Sequence, residues 1–218
     1  LSMQDEASQM VAHLLGVRAG DSVLDLCAAP GGKTAILARA AGAQSQVVAA
    51  DLHFHRLLAL GTTLARLDIT SVQRVALDAT TSLPFDRPFT KILVDAPCSG
   101  TGTLARNPEI RWRLQPQDLS DLHRRQVALL KNALGQLATG GRLVYSTCSL
   151  EPEENERVVQ EALLGVSGLR RVTAMSALEP HLRAATDPAR LFGPDGEFRT
   201  FPPEHGTDGF FAAAIEQE

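Results

Sequence analysis

Long apolar runs are missing from this sequence. Nowhere do about 18 apolar residues follow one another, the length at which a membrane-spanning helix becomes the natural reading. The N-terminal segment LSMQDEASQM has no basic region followed by an apolar stretch, so no secretory signal is expected. Cysteine is scarce, and Cys27, Cys98 and Cys148 are the only three. An odd number at wide spacing argues against a disulfide framework and against a CxxC metal site, and it fits a reducing, cytoplasmic setting. Positive charge is also short, with 21 Lys and Arg against 25 Asp and Glu and a formal net charge of −4. Taken alone, that balance argues against nucleic-acid binding, because phosphate contacts need Lys and Arg. Distribution matters more than the sum. Between Ala105 and Lys131, six cationic side chains face three carboxylates, a local excess of three positive charges inside an acidic chain.

What is present is the material of one globular domain over residues 1–218, with 44% apolar and 21% charged residues. Strand patterns fall at 22–26, 46–51, 72–77, 90–96 and 141–147, and two more are expected at 169–175 and 209–216. Helical patterns fall between them at 33–42, 54–67, 119–138 and 153–165, the third expected to end at Gly140 and Gly141. Such alternation predicts an α/β fold with a mostly parallel, seven-stranded sheet and helices on both faces. Ligands in such folds bind at the C-terminal ends of the strands. The segment 176–207 is rich in Pro, Gly and charge, has no clear period, and reads as a long excursion before the last strand.

The first strand runs into DLCAAPGGKT, Asp25 to Thr34. Small residues at a strand-to-helix turn let a ligand approach the backbone, and the helix start presents free N–H groups. A phosphate-binding P-loop would need Gly where Cys27 stands, and Pro30 removes a donor from the loop. The dinucleotide pattern GxGxxG is absent. Asp25, Cys27, Ala29 and Gly31 instead have the spacing of the turn with which class I methyltransferases hold S-adenosylmethionine. Asp51 ends the second strand, where a ribose diol can take two hydrogen bonds. Asp78 follows the third strand, placed to meet an adenine amino group, and Asp95 follows the fourth. Acidic residues are depleted in strands, so a carboxylate at the end of each successive strand points to a ligand.

After the fourth strand comes DAPCSGTG, and after the fifth YSTCSLEPEEN. By itself either cysteine reads as a small buried hydrophobe. Two of them at neighbouring strand ends beside a methyl-donor turn can face one pocket, since strands lie roughly 5 Å apart. Carbon 5 of cytosine is a poor nucleophile, and a thiolate added to carbon 6 turns the ring into an enamine that accepts a methyl group. Such chemistry calls for a thiol of lowered pKa, with Asp95 to stabilise or protonate the ring nitrogen and Lys33 to assist electrostatically. Methylation of oxygen or nitrogen would leave a thiol without work.

The strings CAAPGGKT, DAPCSGTGTLARNPEIRW, YSTCSLEPEENE and DGFF, with QDEASQ ahead of them, resemble the Sun-type RNA cytosine-5 methyltransferases from about Gln4 to Ile215. The resemblance implies a class I methyltransferase, Rossmann-like fold and S-adenosylmethionine as cofactor. It implies a cofactor site made of Cys27, Ala28, Ala29, Pro30, Gly31, Gly32 and Lys33 with Asp51, Asp78 and Asp95. It implies Cys148 as the nucleophile and Cys98 as the group that helps release the product, with no metal. The implied substrate is RNA, ribosomal RNA of the bacterial small subunit first and transfer RNA as the alternative. Sun-type enzymes usually carry a further RNA-binding region, and none is visible ahead of QDEASQ. Rival readings are an amino-group methyltransferase, whose Asp/Asn-Pro-Pro-aromatic motif DAPCS only half resembles, and a non-catalytic module that binds RNA or S-adenosylmethionine. The stretch from Arg106 to Trp112 is expected to shape an RNA entrance through Arg106 and Arg111. Trp112, the only Trp, is expected to pack in the core beneath it.

Overall fold

The computed structural model describes residues 4–184 and 186–218. Residues 1–3 and 185 of the domain expected over 1–218 lie outside those described. Eight strands form one sheet: β1 (Val23–Leu26), β2 (Val47–Asp51), β3 (Val72–Ala76), β4 (Phe89–Asp95), β5 (Leu137–Thr147), β6 (Leu169–Val172), β7 (Phe198–Thr200) and β8 (Phe210–Gln217). The first four helices are α1 (Glu6–Leu14), α2 (Gly32–Ala41), α3 (Phe54–Arg66) and the short α4 (Ile110–Arg113). They are followed by α5 (Pro116–Leu134), α6 (Glu156–Leu163) and the short α7 (Met175–Leu178) and α8 (Pro202–His205). The sheet runs β3-β2-β1-β4-β5-β8-β6, parallel from β3 to β5 and antiparallel in every pair made by β8. This is the fold of class I methyltransferases.

The period of two along each strand divides the core between two faces. Leu24, Leu26, Ile92, Val94, Leu143 and Tyr145 point to the side covered by α5 and α6. Val23, Val47, Leu93 and Val144 point to the side covered by α1 and α2. All seven expected strands form. The eighth, β7, lies inside the 176–207 excursion and is three residues long, too short to carry a period. It pairs with Phe210–Ala212 of β8, on the edge that β6 occupies further along.

The long helix departs from expectation at both ends. It starts earlier, with Pro116 in its first turn and Asp118 accepting from the Gln115 N–H at 2.9 Å. It stops at Leu134, capped by Gly135, and the chain enters β5 at Leu137. Gly140 and Gly141 belong to β5, where the register against β4 shifts between Phe89 and Lys91. Nor did the pattern mark α1, which Asp5 caps by accepting from the Ala7 N–H at 2.9 Å.

Candidate active site

The turn after β1 is bent by backbone conformation as much as by sequence. Cys27 takes φ 63° and Gly31 φ 102°, both left-handed, and only the second is free of a side-chain penalty. A Cβ on Gly31 would also meet Leu60 at 3.0 Å, so the turn lies directly on α3. The Ala28 N–H donates to the Ala50 carbonyl at 2.9 Å, and the Ala29 N–H reaches Asp51 Oδ2 at 3.3 Å. Asp51 is thereby tied to the turn, buried at 3% exposure, with Arg56 3.5 Å from the same oxygen.

Asp25 is buried beneath this turn. Its Oδ2 accepts from Thr34 Oγ1 at 2.6 Å, and its Oδ1 has no partner. Burial raises its pKa to about 7, against the opposing hydrogen bond from Thr34. Burial likewise pushes the Cys27 thiol far up, with Asp95, Asp51 and Asp25 adding to it, so Cys27 is a packing residue rather than a nucleophile. A cavity of about 350 Å³ runs along the turn, walled by Asp25, Cys27, Ala29, Pro30, Lys33 and Asp95, with Ala28 and Gly32 also on its wall. Asp51 and Asp78 do not line it. Asp78 stands exposed after β3 and accepts from Thr80 N and Oγ1 at 2.9 and 2.6 Å, and these bonds lower its pKa.

Lys33, from the first turn of α2, donates to Asp95 Oδ2 at 2.8 Å and to Ser8 Oγ at 2.7 Å. Asp95 Oδ1 accepts from Ser146 Oγ at 2.8 Å, across the parallel pair of β4 and β5. That register brings the loops after the two strands side by side, and the sulfurs of Cys98 and Cys148 lie 3.3 Å apart. The two thiols are inequivalent. The hydrogen bond from Cys98 lowers the pKa of Cys148, with help from Lys33 and against burial and Asp95. The same contact, together with burial and the charges of Glu154 and Asp95, raises that of Cys98. The surroundings thus favour ionisation of Cys148 over that of Cys98.

Sequence reasoning missed the group that fixes both thiol loops. Glu154 is buried at 0% exposure. Its carboxylate accepts from Ser99 N at 2.9 Å, from Ser149 Oγ at 2.5 Å, from Gln126 Nε2 at 2.9 Å and from Ser99 Oγ. Ser99 follows Cys98 and Ser149 follows Cys148, so one carboxylate holds both. Tyr145 donates to its backbone carbonyl at 2.6 Å, and Gln126 also reaches the Pro97 carbonyl at 2.9 Å. Asn155 accepts from Thr147 Oγ1 at 2.5 Å and donates to the Ser149 carbonyl at 2.9 Å. In the sequence, EPEEN falls within a family string and at the start of the helical pattern at 153–165, and nothing there marks Glu154 as buried.

On the far side of Cys98 a second cavity, of about 390 Å³, opens between α4 and α5. Arg106 does not face it, but pairs with Asp5 at 3.1 Å and with Asp208. Trp112 is not in the core: it is 75% exposed on α4.

Residues 12–216 match the family described as 16S rRNA methyltransferase RsmB/F. The chain belongs to the RsmB/F family. It is 36% identical to a probable ribosomal RNA small subunit methyltransferase B of Synechocystis, covering 99% of this chain and 47% of that one. Identity to the ribosomal RNA small subunit methyltransferase B of Pseudomonas syringae pv. tomato is 38%, again over 99% and 47%. This RsmB/F chain thus spans about half the length of the curated relatives it matches. NSun6 from Pyrococcus horikoshii with SFG superposes at TM-score 0.83 with 28% identity, over 98% of this chain and 52% of that one. A methyltransferase homologue from the same organism gives TM-score 0.78 and 34% identity, over 100% and 68%.

Proposed function

We propose that this protein transfers a methyl group from S-adenosylmethionine to carbon 5 of cytosine in RNA, in a reducing cytoplasm, with small-subunit ribosomal RNA as the substrate. The relatives named for that RNA support the choice of substrate over transfer RNA. The observation that carries the chemistry is the pair of thiols 3.3 Å apart at the ends of β4 and β5, beside Lys33 and Asp95.

The residues at the β1 turn fit the cofactor. Asp25 lines the cavity and keeps a buried carboxylate oxygen without a partner, and a ligand bearing an ammonium group meets that need. Asp51, with Ala29 bound to it, is the acceptor for a ribose diol, and Asp78 is the polar group for an adenine edge. Arg56 must yield part of its hold on Asp51 for the diol to reach it. NSun6, solved with SFG, an analogue of S-adenosylmethionine, supports the choice of cofactor. S-adenosylmethionine supplies a methyl group on a sulfonium centre.

The chain's own residues do the rest. The Cys148 thiolate forms a bond to carbon 6, and the electron pair of the 5,6 double bond shifts toward carbon 5 and the ring nitrogen, with Lys33 to offset the negative charge and Asp95 to hand a proton to that nitrogen. Carbon 5 takes the methyl group with that pair as the bond from the methyl to the donor's sulfonium sulfur breaks, leaving a neutral thioether. A base removes the proton from carbon 5, the double bond re-forms, and the Cys148 thiolate leaves. Cys98, in contact with the departing sulfur, serves this last step.

RNA containing 5-fluorocytosine tests the reading, because fluorine at carbon 5 cannot leave as a proton and the adduct persists. The expected result is a cofactor-dependent, slow-migrating band on denaturing electrophoresis that Cys148→Ala lacks. An amino-group methyltransferase or a non-catalytic binding module would give no band, and that outcome would overturn the proposal.

A further inference from the structure

The cavity between α4 and α5 is separate from the cofactor turn and shares Cys98 with the thiol site. Its apolar wall is Ile110, Leu114 and Leu122. Ile110 reaches the Cys98 loop, since its Cδ1 lies 3.1 Å from where a Cβ on Gly100 would stand. Four charged side chains surround it. The two carboxylates are engaged: Asp118 accepts from the Gln115 N–H at 2.9 Å, and Asp121 pairs with Arg124 at 2.6 Å. The two guanidinium groups, of Arg113 and Arg125, are exposed and have no ion pair or hydrogen bond among the described residues. Ile110 and Arg113, one helical turn apart, face the cavity. Trp112, about 100° round the helix from Arg113, stands out at its side.

We propose that this cleft holds the RNA nucleotide next to the target cytosine: its base against Ile110, Leu114 and Leu122, its flanking phosphates on Arg113 and Arg125, and the following base stacked on Trp112. The proposal rests on the reading of an RNA substrate given above. An apolar slot with two unpaired guanidinium groups suits an unpaired nucleotide, whose base offers flat faces to apolar side chains and whose phosphate is anionic. A duplex would keep its bases stacked and offer nothing for the slot. An aromatic face exposed to water beside a cation is a platform on which any base can stack. The cleft's position fixes the register, because Cys98 belongs both to its wall and to the thiol pair.

Trp112 is the only tryptophan, so emission excited at a wavelength that tyrosine does not absorb reports on this surface alone. A short single-stranded RNA containing cytosine, carrying a dye for anisotropy, should bind with quenching and a blue shift of the Trp112 emission. The same strand annealed to its complement should leave that emission unmoved. Trp112→Ala should weaken binding roughly 5- to 150-fold, and Trp112→Phe should restore much of it. Arg113→Ala with Arg125→Ala should flatten the dependence of log affinity on log salt by about 1.4, the value for two phosphates of a single strand. Calorimetry with S-adenosylmethionine on each variant should give the parent's affinity and so exclude misfolding. Anisotropy that reports binding while the Trp112 emission and the salt slopes stay constant would remove the cleft from the RNA path and leave the RNA reading standing. No binding at low salt, by the parent or any variant, would overturn the RNA reading and the cleft with it.

Discussion

Cys98 and Cys148 lie 3.3 Å apart, and their mutual hydrogen bond favours ionisation of the second and opposes that of the first; Lys33 aids the second, Glu154 opposes the first, and Asp95 opposes both. Cys148→Ala should therefore abolish methyl transfer and leave cofactor binding intact. Cys98→Ala should still attack and then stall, because a residue used only in elimination is not needed for addition. Incubation with RNA and cofactor, followed by denaturing electrophoresis, should show an accumulated adduct for Cys98→Ala alone, and the reverse pattern would move the nucleophile to Cys98. Asp25 has a consequence for stability. Its folded pKa of about 7 lies above the usual 3.8, so the stability carried by the protonated group is complete below about pH 4 and is lost as pH rises toward 7. His13 acts in the opposite sense: burial, with His181, lowers its pKa to about 4, so stability is lost as pH falls from 6.5. Asp25→Asn compared with the parent isolates the first effect. Thermal unfolding from about pH 4.5 to 7.5 should show the variant gaining on the parent as pH rises, and parallel profiles would contradict the buried-acid account. The two thiol motifs and the acidic strand ends were legible as residues. Glu154 was not, because carboxylates are almost always solvated, and its burial depends on Ser99 and Gln126, 55 and 28 positions away.

The strands with alternating or apolar patterns were legible in the sequence, whereas the ends of α5, the whole of α1 and the short β7 were not. The seven strands of four or more residues lie where strand patterns were expected, whereas the three-residue β7 is held by its pairing with the free edge of β8. The end of α5 was misplaced because Gly140 and Gly141 look like a helix stop, while Gly135, the residue that caps it, sits in ordinary helical conformation with φ −65°. Gly102 shows how a glycine can matter through proximity alone. Its N–H donates to the Cys148 carbonyl at 2.9 Å, and its own carbonyl accepts from Gly209 at 2.8 Å, stapling the Cys98 loop to the Cys148 loop and to the start of β8. A Cβ there would lie 2.1 Å from the Gly209 carbonyl oxygen and 2.9 Å from that of Cys148, both backbone atoms. Gly102→Ala should cost about 1–3 kcal/mol of stability, in the range of overpacking, and should alter the rate at which Cys148 reacts with a thiol reagent. Gly135→Ala, whose nearest new contact is 3.4 Å, is the control and should cost nothing or stabilise slightly. Denaturant unfolding that ranks the two variants equally would refute the staple.

At the scale of the molecule, both apolar layers lean on one sheet, and the proposed cofactor turn and the thiols sit on the same rim of it. Opening either layer exposes the strands that carry the turn, so a ligand bound there should be released only on global unfolding. Binding then adds to stability by mass action, about 2.7 kcal/mol at a concentration one hundred times the dissociation constant. For a chain of 218 residues each kcal/mol moves the unfolding midpoint by about 2–4 °C. Saturating S-adenosylmethionine should therefore raise it by about 5–11 °C. Asp51, the last residue of β2, accepts from the Ala29 N–H of the turn and, at 3.1 Å, from the His53 N–H. Asp51→Ala should weaken cofactor binding by about 1.5–3 kcal/mol, the range for a charged hydrogen bond, and shrink the thermal shift in step. Calorimetry and thermal unfolding on the same samples check both values. An unmoved midpoint in the parent would dissociate the turn from the cofactor. A normal shift in Asp51→Ala would keep the cofactor and take the ribose away from Asp51.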